Sequence, residues 1–205
     1  MLVGTRMTHN PVTVRENTSM YDALKIMREN NVRRLPVLNG DGKLVGMVSE
    51  KDLLYASPSP ATSLSVWEIS YLTSKISVKE LMSTQLVTIC EDCPLEEAAR
   101  LMVDNKIGGL PVMRGDQLVG IITETDLFKI FLELLGARAQ GTRFSLVVPE
   151  RKGMLADMSK LIADLGGNIV ALGTFLGEDP SNRLITLKVQ DVDTVSYTHL
   201  TLPTN

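Results

Sequence analysis

Residues Met7 to Leu54 recur, in the same order, as Met82 to Phe128. Val12-Thr13-Val14 returns as Val87-Thr88-Ile89, and Leu35-Pro36-Val37 returns as Leu110-Pro111-Val112. Gly46-Met47-Val48-Ser49-Glu50-Lys51-Asp52 returns as Gly120-Ile121-Ile122-Thr123-Glu124-Thr125-Asp126. Two copies imply a paired module, because a solenoid needs three or more repeats to bury a continuous core. The duplication kept a glycine, a hydroxyl and a carboxylate at fixed spacing, as well as the hydrophobic pattern.

Each copy carries the same order of local signals. Short β-branched strands are expected at Pro11 to Val14 and Leu86 to Ile89. A helix follows, with Thr18 as candidate N-cap in the first copy and Pro94 at the first helical position in the second. Met20, Ala23, Leu24, Ile26 and Met27 recur at helical spacing, as do Leu95, Ala98, Ala99, Leu101 and Met102. Asn30-Asn31 and Asn105-Lys106 end these helices. The strand at Leu35 to Leu38 then turns through Asn39-Gly40-Asp41-Gly42 into Leu44 to Val48, and Arg114-Gly115-Asp116 does the same before Leu118 to Ile122. A last helix starts at Ser49 or Thr123, so each repeat reads β-α-β-β-α.

The expected fold class is α+β, with repeats at residues 1–55 and 77–135 and a linker at 56–76. Trp67, Ile69, Tyr71 and Leu72 are expected to pack that linker against the module. The run Gly136 to Gly141 reads as a hinge to a third unit at 142–192. That unit reads β-α-β-β: a strand at Phe144 to Val148, a helix at Met154 to Leu165 stopped by Gly166-Gly167, and strands at Asn168 to Phe175 and Arg183 to Gln190. Residues 195–205 lack a helical period, resemble translated sequencing adapter, and are expected to be a non-native tail.

Several function classes are disfavoured. Net charge is −3 and no long basic run occurs, so nucleic acid is not the expected partner. No apolar stretch is long enough to span a bilayer and no signal-peptide core opens the chain, so a soluble, cytoplasmic protein is expected. Cys90 and Cys93 form a C-x-x-C, which serves as a redox pair or half a zinc site in other contexts. With only two histidines in the chain, no partner ligand pair is apparent, and two incidental small residues are expected. No metal site, nucleophile–base set, P-loop or G-x-G-x-x-G is found, and no catalytic residue is assigned.

The duplicated turn carries the chemistry. Ser49 and Thr123 sit where strand becomes helix, and Asp52 and Asp126 follow three residues later. S-x-x-D is a plain capping arrangement. It is also compatible with binding, since helix N-terminal N–H groups favour phosphate and a nearby carboxylate suits ribose hydroxyls. The glycine ahead of each turn lets a ligand or a backbone approach closely.

This pattern resembles the nucleotide signature of CBS domains (cystathionine β-synthase domains), and the resemblance covers about residues 1–135. It implies a tandem pair, or Bateman module, with two clefts for adenosine-containing ligands. By that resemblance Ser49, Asp52, Thr123 and Asp126 would hold ribose or phosphate. Thr13, Val14, Pro36, Val37, Thr88, Ile89, Pro111 and Val112 would line the adenine. Just before the Leu-Pro-Val strand, Arg33-Arg34 stands where the second copy has Gly108-Gly109. Either these arginines are solvated surface charges, or one of them reaches a phosphate and makes its cleft prefer charged ligands.

The third unit resembles an ACT domain, a ferredoxin-like regulatory module, here lacking the last helix and strand. Glu150-Arg151-Lys152-Gly153-Met154-Leu155 looks like that family's ligand turn, with Lys152 where proline is usual, and Asn168 lies in its second turn. Gly153 can equally be a simple turn glycine. The resemblance implies an amino-acid ligand at Gly153, Met154, Leu155 and Asn168. Tandem CBS followed by ACT is similar to proteins of the acetoin-utilisation AcuB type. The expected function is therefore non-enzymatic. It is a homodimeric regulator sensing AMP, ADP or ATP, with no obligatory cofactor. An S-adenosylmethionine-binding regulator or an assembly scaffold without nucleotide is the alternative.

Overall fold

A computed structural model describes residues 1–57 and 65–191 of the chain. They fall into two compact units that divide between Leu127 and Phe128, ahead of the Gly136–Gly141 segment expected as the hinge. The expected tail at 195–205 and part of the expected linker lie outside the described residues.

In the first repeat, β2 (Val14–Arg15) is followed by α1 (Met20–Glu29), β3 (Arg34–Leu38), β4 (Leu44–Ser49) and α2 (Glu50–Tyr55), after a leading β1 (Thr8–His9). Two further helices, α3 (Val66–Lys75) and α4 (Val78–Leu81), precede the second repeat. That repeat has β5 (Ile89–Cys90), α5 (Leu95–Asn105), β6 (Gly109–Arg114), β7 (Gln117–Thr123) and α6 (Glu124–Leu134). β2 pairs parallel to β3, and β3 pairs antiparallel to β4. β5, β6 and β7 repeat that arrangement. The opening strands are shorter than expected, two residues each.

The two repeat helices bury equivalent stripes. Met20, Ala23 and Met27 of α1 are buried, and so are Leu95, Ala98 and Met102 of α5. This is the spacing that places side chains on one helical face. Both helices stop in a left-handed residue, Asn31 at φ 52° and Lys106 at φ 55°. Their starts differ from expectation. The Oγ of Ser19, not Thr18, caps α1 by accepting the Asp22 N–H at 3.0 Å. Thr18 instead accepts the Arg15 N–H. Pro94 occupies the N-cap of α5, one position ahead of the first helical residue.

The segments leading into the repeats are exchanged. β1 precedes the first repeat but pairs with β7 of the second, Thr8 opposite Ile121 and His9 opposite Gly120. Ser83, the counterpart of Thr8, bridges Met47 on β4 of the first repeat through two backbone hydrogen bonds of 2.9 and 3.0 Å. This exchange accounts for the duplicated glycine. A Cβ on Gly46 would lie 2.3 Å from the Met82 sulfur, and one on Gly120 would lie 2.3 Å from the Met7 sulfur. What approaches each glycine closely is the methionine that leads into the opposite repeat.

The linker residues lie on α3, capped by Ser65 through Glu68, which packs against α1 with Ile69 half-buried. The expected packing fails for the aromatics: Trp67 and Tyr71 are 86% and 61% exposed.

The second unit contains β8 (Thr142–Pro149), α7 (Met154–Asp164), β9 (Asn168–Leu176) and β10 (Asn182–Gln190). The sheet is antiparallel in the order β8-β10-β9. Met154, Met158 and Ile162 of α7 pack with Val148, Ile185, Leu187 and Val189 of the sheet.

Candidate functional site

The duplicated turns form the same local structure. Ser49 caps α2, and the Asp52 carboxylate Oδ2 accepts the Ser49 backbone N–H at 2.9 Å and the Ser49 hydroxyl at 2.6 Å. In the second repeat, Asp126 Oδ2 accepts the Thr123 N–H at 3.0 Å and the Thr123 hydroxyl at 2.7 Å. The capping arrangement is therefore present in both copies. In both, these bonds run through the same oxygen, Oδ2.

The first turn opens onto a cavity of about 430 Å³ between the repeats. Ser49, Asp52, Arg34 and Met47 line it from the first repeat. Val87, Gly108, Gly109, Pro111 and Glu124 line it from the second. Of the expected residues, the structure thus brings together Ser49, Asp52, Arg34 and Pro111.

The expected adenine-lining set needs correction. Val37 and Val112 are fully buried, and Val14 and Ile89 are 5% exposed. Val14 pairs with Val37 and Ile89 with Val112, so all four belong to the sheet cores of their repeats, and none of them lines the cavity at Asp52. Strand alternation explains why Pro111 lines the cavity while its neighbour Val112 points into the core. Val87, two residues ahead of Ile89, takes the lining position that sequence reasoning gave to Thr88 and Ile89.

The structure separates the two arginines between the alternatives expected of them. Arg33 and Arg34 part company. Arg33 is exposed and donates from Nη2 to Thr125 Oγ1, beside the second turn, at 3.3 Å. Arg34 is half-buried in the cavity of the first turn. Gly108 and Gly109 line the same cavity as Arg34. A Cβ on Gly108 would lie 1.9 Å from Arg34 Nη2, and one on Gly109 would lie 3.2 Å from Arg34 Cδ. The glycine pair is the seat of the arginine. Burial pulls the Arg34 guanidinium below its ordinary value, Glu124 pulls it back up, and Arg33 and Asp52 add smaller opposing effects. A guanidinium stays charged through such shifts.

Among the polar lining residues, Lys51, Ser83, Gln85, Lys106 and Glu124 were not expected from the sequence. The one available signal was position, since Lys51 and Glu124 lie inside the duplicated turns.

Cys90 and Cys93, expected to be incidental, are joined in a disulfide. It closes the loop ahead of α5, where the Val3 N–H donates to the Cys93 carbonyl at 2.9 Å and the Gly4 N–H to the Glu91 carbonyl at 2.7 Å. Among the described residues, no group of three or more His, Cys, Asp or Glu is arranged to hold a metal ion. Nor is any helix among them long and apolar enough to cross a membrane.

In the second unit, a cavity of about 340 Å³ is lined by Glu150, Arg151, Gly153, Met154, Leu155 and Arg183. Gly153 adopts φ 84° at the start of α7, a conformation suited to glycine. Arg151 pairs with Asp157 at 2.7 Å, and Arg183 pairs with Glu150. Asn168, expected with Gly153, follows the opposite end of α7, an eleven-residue helix, and does not line this cavity. Such a helix is about 16 Å long.

The family model described as CBS domain matches residues 3–59 and 78–133. The sequence is 34% identical over 154 residues to an uncharacterized protein of Methanocaldococcus jannaschii, MJ1404. That match covers 72% of this chain and 36% of MJ1404. Among solved structures, one described as an acetoin utilization protein (AcuB) from Vibrio cholerae is 33% identical with a TM-score of 0.55, covering 67% of this chain and 95% of that one. The CBS domain pair of MJ0100 in complex with 5'-methylthioadenosine and S-adenosyl-L-methionine is 28% identical with a TM-score of 0.54, covering 67% and 98%. CBSX2 in complex with AMP is 34% identical with a TM-score of 0.51, covering 64% and 96%.

Proposed function

Because this chain belongs to the CBS domain family, with two copies in tandem, we propose that it is a non-catalytic regulatory module. It binds an adenine nucleotide (AMP, ADP or ATP) in the clefts between its repeats. The observation that carries this reading is the Asp52 turn. Its hydroxyl–carboxylate pair opens onto an inter-repeat cavity that also holds a half-buried guanidinium. A carboxylate suits ribose hydroxyls and a guanidinium suits phosphate. The complexes of MJ0100 and CBSX2 with adenosine compounds support the same chemistry. S-adenosylmethionine, one of the MJ0100 ligands, is the second reading.

Ser49, Asp52, Thr123 and Asp126 are the proposed ribose and phosphate contacts, with Arg34 for phosphate in the first cleft. Pro111, and by repeat correspondence Pro36, are the proposed adenine contacts. Ligand occupancy regulates only if one arrangement of the repeats binds more tightly than another.

Residues 142–192, which fall in the second unit, are proposed as an ACT-type domain. The strand order β8-β10-β9 and the cavity at Gly153, Met154 and Leu155 support an amino-acid ligand there. A homodimer in the cytoplasm is the proposed working form. Exposed Trp67 and Tyr71 on α3 are consistent with pairing through helical faces.

The test is calorimetry with AMP, ADP, ATP and S-adenosylmethionine on the chain and on the double variant Asp52→Asn, Asp126→Asn. Asparagine keeps an oxygen that can accept the capping N–H but lacks the charge. Binding should be lost while the fold persists. Unchanged affinity in the double variant would remove the two aspartates from the site.

A further inference from the structure

The residues around the cavity at Asp52 have counterparts in the other repeat around Asp126, and the two sets differ in charge. Lys51 and Lys106 join Arg34 around the cavity at Asp52, where the carboxylates are Asp52 and Glu124. Three cations face two anions there. Through the repeat, Lys51 corresponds to Thr125, Lys106 to Asn31 and Arg34 to Gly109, while Asp52 and Glu124 correspond to Asp126 and Glu50. The second set keeps both carboxylates and loses those three cations, while Gly108 of the first cavity is replaced by Arg33, which donates to Thr125. Three cations around Asp52 thus stand against one around Asp126.

The backbone supports the correspondence. Lys106 and Asn31 end equivalent helices in the same left-handed conformation, so their side chains leave the chain at matching places. Lys51 and Thr125 each stand one residue before the aspartate of their turn. Lys51 Nζ lies 5.4 Å from the centre of the exposed Tyr55 ring, within cation–π range. Lysine ammonium groups on long flexible stems suit the spread charge of a phosphate chain. The half-buried guanidinium of Arg34, held against Gly108, supplies the fixed point.

We infer that the cleft at Asp52 selects adenosine ligands bearing two or three phosphates, with Lys51 and Lys106 setting that preference. The cleft at Asp126 takes adenosine ligands of lower negative charge. This inference rests on the adenosine-binding reading above and adds the ligand class for each cleft.

The experiment isolates the first cleft with Asp126→Ala and titrates adenosine, AMP, ADP, ATP and S-adenosylmethionine at two salt concentrations. ATP should bind about tenfold or more tighter than adenosine at low salt, as two charge-assisted contacts imply. Exchanging the lysines for the residues of the other repeat, Lys51→Thr with Lys106→Asn, should erase most of that advantage and flatten its salt dependence. Adenosine, which is uncharged, should change by less than about twofold, and S-adenosylmethionine, a sulfonium cation, should not weaken. The reciprocal variant, Thr125→Lys with Asn31→Lys on an Asp52→Ala background, should gain ATP preference. That gain cannot come from misfolding.

If adenosine binds but ATP binds no tighter, or if the lysine exchange weakens adenosine and ATP equally, the charge assignment is overturned while the adenosine reading stands. If no adenosine compound binds the unaltered chain, both readings fall together.

Discussion

The two repeats share a scaffold and differ where they face each other. Leu35 and Leu110, Met27 and Met102, and Val37 and Val112 are equivalent and almost wholly buried. Gly46 and Gly120 are equivalent because each meets a methionine from the opposite leader. Arg34 and Gly109 are also equivalent in sequence, yet one is half-buried in the cavity and the other lies under its side chain. The comparison teaches that packing kept the duplicated positions alike, while the shared cleft made room for a single arginine of the repeat-related pair. Two arginines related by the repeat would compete for the space that Gly108 and Gly109 leave open.

The equivalence of the cores breaks most visibly under large-to-small substitution. Leu35→Ala and Leu110→Ala should each destabilise the chain by roughly 2–5 kcal/mol, because both side chains are fully buried. Chemical denaturation measures both. Losses that differ by more than about 2 kcal/mol, a large part of the range for such deletions, would show that the repeats carry unequal shares of stability.

The leader exchange gives a sharper test of the same symmetry. Gly46→Ala should cost about 1–3 kcal/mol by overpacking, because its Cβ meets the Met82 side chain. Shortening that side chain with Met82→Ala should recover part of the loss, giving a favourable coupling in a double-mutant cycle. Gly120→Ala with Met7→Ala should behave likewise. The Gly120 site also brings the Thr8 carbonyl to 3.0 Å of the added Cβ, so its recovery should be smaller. Additive losses at both sites would mean that the methionines are not what the glycines accommodate.

A third substitution separates binding from folding. Gly108→Ala places a methyl where the Arg34 guanidinium lies. It should weaken ATP in the first cleft about as much as Arg34→Ala does, by roughly tenfold. The double variant should be no worse than either single one. Nucleotide titration decides this. A Gly108→Ala protein with unaltered ATP affinity would show that Arg34 is not held in place by the glycine seat.

Much of the first unit was legible because its signals are local or repeated. The helical stripes, the hairpins and the Ser49–Asp52 turn each depend on residues close in sequence. The leader exchange was not legible, since the partner of Gly46 is Met82 and no short-range pattern links them. The lining face of the Leu35-Pro36-Val37 strand was hidden for another reason. All three residues are buried, so alternation between apolar and polar gave no cue to which side faces the cavity. Lys51 and Lys106 escaped notice because a lysine is ordinarily solvated. In the second unit the Gly153 turn was recognisable, but Asn168 was grouped with it by motif although a whole helix separates them.

The smallest expected effect concerns the outer edge of the repeats, where their ion pairs diverge. Glu91 in the second repeat corresponds to Glu16 in the first. Glu91 pairs with Arg114, whereas Glu16 pairs with Lys79 at 3.4 Å. The hydrogen bonds from Arg114 hold the Glu91 carboxyl below its ordinary value of 4.5. A carboxyl with a lowered value in the folded state stabilises that state above its unfolded value and loses the contribution as pH falls through the folded one. Arg114→Ala should therefore melt slightly earlier than the unaltered chain near neutral pH. The gap should start to shrink as pH falls below the ordinary carboxyl value and close as pH passes the lowered value of Glu91, where both proteins carry it protonated. Because the pair is exposed, added salt should also shrink the gap at neutral pH. Lys79→Ala should show a still weaker version, since the Lys79–Glu16 pair is longer and lacks the two-pronged contact of Arg114. Melting curves across pH 3 to 7 at low and high salt measure both. A gap that widens on acidification would reverse the sign of the linkage, and would assign the Arg114 effect to packing of its aliphatic stem.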